Sequence, residues 1–227
     1  MKKIFREAPY TTELPSAKIL AKLAPLQQVP GCGGIVAHQS EDLYSLWEAW
    51  EAESGRECPT PFWAITWPAA LVLARHLLRN TVLIKNKIVI DIGCGGGVAS
   101  IAAVRGGAKR VIANDIDPAA LIIAERNFAA NNVMVETCNR NLANDTGDIN
   151  ADIVLVSDLF YHRSSSEALL SYLLCAQKKG VTVLIADSNR PFTPSTGVTL
   201  IAQETVPVSM ELEGVAHREV RLLVLEG

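Results

Sequence analysis

From Lys87 onward, short apolar runs alternate with stretches whose apolar positions recur at helical spacing. "KIVIDIG" (87–93), rich in β-branched residues, predicts a buried strand. "GVASIAAVRGG" (97–107) has helical composition, and Gly106 and Gly107 supply residues that tolerate the positive φ of a helix end. "RVIAND" (110–115) predicts a second strand. "DPAALIIAERNFAANN" (117–132) predicts a helix with Asp117 as N-cap and Pro118 in its first position. "MVETC" (134–138), "ADIVLVSD" (151–158) and "VTVLIADS" (181–188) predict three more strands. Between the last two, "SEALLSYLLCAQKKG" (166–180) predicts a helix with lysines in its final turn. Near-continuous apolar strands alternating with helices imply a parallel sheet covered on both faces.

The rhythm changes at both ends. After Pro194, "GVTLIAQETVPV" (197–208) and "HREVRLLVLEG" (217–227) predict two further strands, joined by the polar "SMELEGVA" (209–216). They are expected to pair antiparallel at the sheet edge. Before Lys87, "EDLYSLWEAWEAESG" (41–55) and "WPAALVLARHLL" (67–78) predict amphipathic helices around a Pro-rich loop, "CPTPFWAIT" (58–66). The expected fold is α/β: a Rossmann-like seven-stranded sheet with an antiparallel edge strand, helices on both faces, and an N-terminal helical extension. Residues 1–86 form that extension and residues 87–227 the core.

Composition narrows the function. A chain of 227 residues, 49% hydrophobic, supports one well-cored domain with an appendage. Net charge is −3 with Lys and Arg scattered, and no basic stripe marks a nucleic-acid partner. The start, "MKKIFREAPYTTELP", lacks an apolar signal segment. The longest uncharged run, Cys58 to Ala74, holds three prolines and is too short to span a membrane. A soluble, cytoplasmic protein is expected. The five cysteines (32, 58, 94, 138, 175) show no C-x-x-C, and the four histidines (38, 76, 162, 217) lie far apart. The expectation is core thiols, partly exposed histidines and no metal.

The chemistry concentrates in "VIDIGCGGGVAS" (89–100), where Gly93, Gly95, Gly96 and Gly97 follow the first parallel strand. In such a sheet, ligands bind beyond the carboxyl ends of the strands. A dinucleotide loop would be G-x-G-x-x-G, but the third glycine position holds Val98. A Walker A loop would need Gly-Lys-Ser/Thr, which is absent. What stands here is G-x-G-x-G, preceded by Asp91 and followed, eighteen residues after Gly97, by Asp115. The Asp115 carboxylate can accept two hydrogen bonds from a ribose diol. A ligand with an ammonium and a sulfonium, rather than a pyrophosphate, suits carboxylates beside the loop.

This G-x-G-x-G with its flanking acids resembles motif I of the class I S-adenosylmethionine (SAM)-dependent methyltransferases. "PFWAITWPAA" (61–70), "SDLFY" (157–161) and "LIADSNRPFTP" (184–194) resemble a narrower group within them, the lysine methyltransferases acting on the electron-transfer-flavoprotein β-subunit. Some of that group are catalogued as nicotinamide N-methyltransferase-like. The resemblance runs over most of the chain from about Val29. It implies SAM as cofactor and a protein substrate, the electron-transfer-flavoprotein β-subunit; from charge and hydropathy, no nucleic-acid or membrane partner is expected. It places Trp63, Asp91, Gly93, Gly95, Gly97, Asp115 and Asn141 at the cofactor, with Asn141 beside the adenine. It implies that Asp158 and Tyr161, matching a D-x-x-Y/F motif at the lip of the fourth strand, form the acceptor site. Arg190 matches an arginine that follows the family's fifth strand. Two departures fall on the substrate side: His162 and Arg163 stand where the family tends to be acidic, and an Asp-Pro-Gly-Arg turn reads "DSNR" (187–190).

Methyl transfer requires alignment of donor and acceptor and exclusion of water, with no metal or covalent nucleophile. A lysine acceptor, with a reference pKa of about 10.4, must lose its proton. Desolvation and a nearby positive charge both favour the neutral amine, which Asp158 and Tyr161 would orient. The alternatives are a small-molecule N-methyltransferase, a non-catalytic SAM-binding protein and, least supported because of Val98, a nicotinamide-dependent oxidoreductase. For Asp158 the structural alternative is a helix cap, and for Tyr161, Trp63 and Trp67 it is packing.

Overall fold

The computed structural model describes residues 9–144 and 150–226. The stretch read as lacking a signal segment falls mainly on residues 1–8, outside the described residues.

Helix α1 (Ala17–Leu23), capped by Ser16, leads into an antiparallel pair of β1 (Leu26–Gln28) and β2 (Val36–His38). Helix α2 (Leu43–Ser54) follows, with the Asp42 carboxylate accepting from the Ser45 N–H at 2.9 Å and Gly55 closing its last turn. Helix α3 (Pro68–Arg79) starts on a proline, whose fixed φ suits a first helical position. The core then runs β3 (Ile88–Ile92), α4 (Val98–Arg105), β4 (Arg110–Asn114), α5 (Pro118–Ala130), β5 (Glu136–Cys138), β6 (Ile153–Ser157), α6 (Arg163–Lys178) and β7 (Thr182–Asp187). It ends with β8 (Val198–Pro207), the single turn α7 (Met210–Glu213) and β9 (His217–Leu225).

Seven strands form one sheet in the order β5-β4-β3-β6-β7-β9-β8. The first five are parallel, and β9 runs antiparallel to both of its neighbours. The last two strands do pair antiparallel at the edge. The strand running against the rest, β9, lies one place in, because the chain from β7 skips a position and the hairpin returns into the gap. Outermost β8 is mostly exposed, whereas β9 carries four buried residues.

One apolar layer, with Leu73, Leu77, Ile101 and Phe128, covers one face of the sheet under α3, α4 and α5. A second, with Phe160, Leu169 and Leu173, covers the other under α6. The N-terminal elements share the first layer through Val29, Ile35 and Ala37, and join Trp47, Trp50 and Trp63 to the start of α5 in a third cluster.

The β1–β2 pair was not expected from the pattern, since three-residue strands are too short to show alternation. Its position is set from outside. The Asn131 side chain accepts from Val36 N at 3.0 Å and donates to Val36 O at 2.6 Å, and Asn127 Oδ1 accepts from His38 N at 2.9 Å. Two buried asparagines four residues apart, Asn127 on α5 and Asn131 capping its end, thus satisfy the backbone of a strand that has no other neighbour on that side.

Candidate active site

Strand order reverses between β3 and β6, so the switch point of the sheet lies at their carboxyl ends, where the glycine loop leaves β3. Gly95 has φ +52°, and a Cβ there would meet nothing within 4 Å, leaving its backbone open to a close-lying ligand. A Cβ on Gly96 would stand 3.0 Å from the Trp63 carbonyl oxygen. Gly93 and Gly97 are kept small by packing, against Leu159 and Phe128 respectively. Asn127 braces the loop, donating from Nδ2 to the Gly96 carbonyl at 2.8 Å. The same side chain that positions β2 therefore positions the glycine loop.

Three carboxylates surround this loop. Asp91, on β3, is fully buried; its Oδ2 accepts from the Ser100 hydroxyl at 2.6 Å, and Oδ1 has no partner among the described residues. Burial pushes its carboxyl up to about 7, against the Ser100 hydrogen bond and helped by the nearby Asp115 charge. Asp115 follows β4 and is half-buried. Its Oδ2 accepts from Gly95 N at 2.9 Å and its Oδ1 from Asp117 N at 3.0 Å. Burial raises its carboxyl, partly offset by those N–H groups. Asp117 caps α5, accepting from Ala119 N at 2.9 Å, and burial together with Asp115 lifts it to about 7. A cluster rich in acceptors and poor in cations is suited to a positively charged ligand.

Trp63 is buried beside this loop, edge-on to Trp50 with ring centroids 6.2 Å apart. Its indole Nε1 has no hydrogen-bond partner among the described residues. An orphaned buried N–H is uncommon in a folded chain; what lies against the glycine loop is the Trp63 backbone carbonyl, 3.0 Å from where a Gly96 Cβ would stand. Asn141 lies exposed at the start of the turn Leu142–Asn144, after β5. That segment is tethered to the Asp115 side by Asn114, which donates to the carbonyls of Cys138 and Arg140 at 2.8 Å, and by Asn139, which donates to the Asp115 carbonyl at 2.9 Å. Cys94, in the loop, is buried, and burial with the Asp115 and Asp91 charges pushes its thiol well up, so it is no nucleophile. Cys32 and Cys58 are also buried, but Cys175 is exposed on α6 rather than a core thiol.

The second group of functional side chains stands at the ends of β6 and β7. Asp158 leaves β6 with φ +54°, an unusual conformation for a residue with a Cβ and one tolerated by Asp. Its Oδ1 accepts from Ser188 N at 3.1 Å, Ser188 Oγ at 2.6 Å and Arg190 Nε at 2.9 Å. Its Oδ2 accepts from Ala69 N at 3.2 Å, in the first turn of α3, but the N-cap of α3 is Trp67 and that of α6 is His162, so Asp158 is the N-cap of neither helix. Arg190 spans Asp158 and Glu213, and its guanidinium lies 5.7 Å from the centroid of the Trp67 ring. Burial works against its charge, but Asp158 and Glu213 outweigh that and hold it protonated. Asp187, at the end of β7, organises the "DSNR" turn, accepting from Asn189 N at 2.9 Å and Arg190 N at 3.1 Å and pairing with Arg221 at 3.0 Å.

Tyr161 is 45% exposed, with His162 packed edge-on at 4.8 Å. Arg163 lies over the Phe192 ring at 5.2 Å. Asp158 and Tyr161 thus share the lip of β6, with Asp158 buried in an ionic network and Tyr161 at the surface. Sequence reasoning missed Glu213, Ser188 and Asn127. Asn127 alone left a signal, a polar residue on the apolar side of the α5 pattern; Glu213 reads as one more acid in a polar connector.

A family model described as ribosomal protein L11 methyltransferase matches residues 73–159. The chain is 40% identical over 134 residues to the electron transfer flavoprotein beta subunit lysine methyltransferase of Danio rerio, covering 58% of this chain and 52% of that protein. It is 37% identical over 133 residues to the protein of the same name from Homo sapiens, covering 58% and 50%. The chain thus spans about half the length of the curated relatives it matches. Among solved structures it is similar to magnesium protoporphyrin IX methyltransferase from Synechocystis with bound SAM, with a TM-score of 0.50, 18% identity, and coverage of 70% of this chain and 78% of that one. The fold is that of the Rossmann-like methyltransferases.

Proposed function

We propose that this protein is a SAM-dependent protein-lysine N-methyltransferase acting on the electron-transfer-flavoprotein β-subunit. The observation that carries the proposal is the 40% identity with a lysine methyltransferase of that name, laid over a glycine loop whose residues fit the cofactor. The fit rests on three features of the chain: the open approach at Gly95, the unpartnered Oδ1 of buried Asp91, and the unpartnered indole N–H of Trp63. SAM when bound supplies a methyl group on a sulfonium centre. Asp91, the loop backbone and Trp63 would hold its methionine part, Asp115 its ribose, and Asn141 its adenine.

At the other end of the site, Asp158 and Tyr161 would orient the acceptor amine. The Asp158 charge is already compensated by Arg190 at 2.9 Å, which suits a group that aligns the amine better than one that removes its proton. The amine's loss of its proton is favoured instead by desolvation beside a cation. Half-exposed Tyr161 with His162 presents an open aromatic rim, which suits a side chain reaching in from a protein surface.

The ribosomal L11 methyltransferase model supports a different protein acceptor. Its match ends at residue 159 and omits Tyr161, the "DSNR" turn and the β8–β9 hairpin, so it bears mainly on the cofactor half. No helix of the described residues is long and apolar enough to cross a membrane, and the described cysteines are all free. The free cysteines support the cytoplasm as the proposed compartment.

Calorimetry with SAM, S-adenosylhomocysteine and NAD tests the cofactor assignment. Binding of the first two and not of NAD is expected, and tight NAD binding without SAM binding overturns it.

A further inference from the structure

The β8–β9 connector carries a carboxylate into the acceptor side of the site. Glu213 is the last residue of α7, and Gly214 turns the chain away with φ +70°. Its side chain is only 4% exposed. Its Oε1 accepts from Arg190 Nη2 at 2.9 Å and its Oε2 from Arg190 Nη1 at 3.2 Å, a two-point clamp on the guanidinium fork. On the far edge of the same guanidinium, Nε donates to Asp158 at 2.9 Å, and the Trp67 ring lies under the plane. Arg218 completes the chain, donating from Nε to Glu213 Oε2 at 2.8 Å and from Nη2 to the Glu213 carbonyl at 3.0 Å. The neighbouring Leu212 packs on the N-terminal aromatic cluster, so α7 is anchored on the extension as well as on Arg190.

We infer that Glu213 is a positioning residue for methyl transfer: it fixes the Arg190 guanidinium and, through it, the orientation of the Asp158 carboxylate. The inference rests on the reading of Asp158 as the acceptor-side residue. Its physical basis is that a guanidinium gripped on both edges cannot rotate about its Nε–Cζ bond. Asp158 Oδ1 is then pinned between Arg190 on one side and Ser188 on the other. Without Glu213, Arg190 keeps one hydrogen bond to Asp158 and regains its side-chain freedom. The charge balance shifts as well. The alternating chain Asp158, Arg190, Glu213, Arg218 is neutral, and losing Glu213 leaves a net positive charge beside the amine.

The test compares Glu213→Gln, Arg190→Lys and Leu225→Ala with the wild type. Five quantities are measured: the SAM dissociation constant, kcat and KM for the electron-transfer-flavoprotein β-subunit, the melting temperature, and the arginine side-chain nitrogen spectrum. Glu213→Gln is expected to lose about tenfold or more in kcat, as misalignment does, with SAM affinity within about twofold of wild type. The separate Nη signals of Arg190 should merge as its rotation is freed. Arg190→Lys, which keeps the charge and loses the fork, should show the same kinetic loss. Leu225→Ala, a buried position at the far end of β9 that touches none of these charges, loosens the hairpin and should lower the melting temperature while kcat stays within about twofold. Wild-type kcat in a folded Glu213→Gln protein, or an equal loss in Leu225→Ala, overturns the inference, the latter because hairpin stability alone would then explain the effect. If the wild type transfers no methyl group, the reading of the reaction fails. The nitrogen spectrum then decides the hold of Glu213 on Arg190, and Nη signals that stay separate in Glu213→Gln overturn it.

Discussion

The Gly95 backbone N–H donates to Oδ2 of Asp115 across 2.9 Å, tying the glycine loop after β3 to the end of β4. Asp115 therefore shapes the glycine loop, and under the proposed function its remaining lone pairs would face the ribose. Asp115→Ala is expected to weaken SAM binding by about 1.5–3 kcal/mol for each charge-assisted hydrogen bond lost. Titration calorimetry measures this directly. Unchanged affinity would transfer the ribose role to Asp117.

The raised carboxyls give binding a pH dependence. Asp91 and Asp117 have folded values of about 7, so both are largely neutral below that pH and charged above it. A cationic ligand favours the charged forms, so SAM affinity should increase as pH rises from about 6 to about 8, with protons released on binding below pH 7. Calorimetry in buffers of different ionisation enthalpy counts those protons, and a flat affinity with no release contradicts the electrostatic account.

The same shift has a consequence for stability. A carboxyl whose folded pKa is raised binds more protons in the folded than in the unfolded state, so stability falls as pH rises from about 4 to about 7. Asp91→Asn removes the buried charge and should stabilise the unliganded protein at pH 8, by at most about 4 kcal/mol, with the gain vanishing near pH 4. Melting curves across that range check the sign, and lower stability at pH 8 would show that the Ser100 contact outweighs the burial of charge.

Two glycines should respond in opposite ways. Gly96→Ala sets a Cβ 3.0 Å from the Trp63 carbonyl and should destabilise the fold by about 1–3 kcal/mol, as overpacking does. Gly95→Ala meets open space and should cost only about 1 kcal/mol of backbone strain, while reducing SAM affinity because its Cβ occupies the ligand's approach. Paired melting and binding measurements separate them. Equal effects on both quantities in both variants would contradict the division of roles within the loop.

The parallel core was legible because its strands are buried on both faces and so stand out as apolar runs, as in "IVIDI" and "IVLVS". The start of α5 was legible from Asp117 and Pro118, whose capping chemistry is local. Helix α6 begins at Arg163, three residues before the expected Ser166, because the tripeptide 163–165 is polar and carries no periodic signal. The end of α4 was half right: Gly107 takes the positive φ, but Gly106 keeps φ −77°. The single turn α7 went unread, since four residues show no period. The candidate site follows the same division. Its glycines and acids lie within one loop and one strand end, so spacing reveals them. The Asp158–Arg190–Glu213 chain joins residues 23 and 32 positions apart, and only the fold brings them together.

The account's central claim is methyl transfer to a lysine, and Asp158 is where it is most exposed. Purified electron-transfer-flavoprotein β-subunit is incubated with SAM and either the wild-type protein or Asp158→Asn, and the product is mapped by mass spectrometry. The wild type should add methyl mass to lysine. Asp158→Asn should bind SAM with unchanged affinity and transfer about 100-fold more slowly, since the acceptor is no longer aligned. An unmethylated β-subunit, with a small amine methylated in its place, would contradict the lysine assignment, and loss of SAM binding in Asp158→Asn would move that residue into the cofactor site.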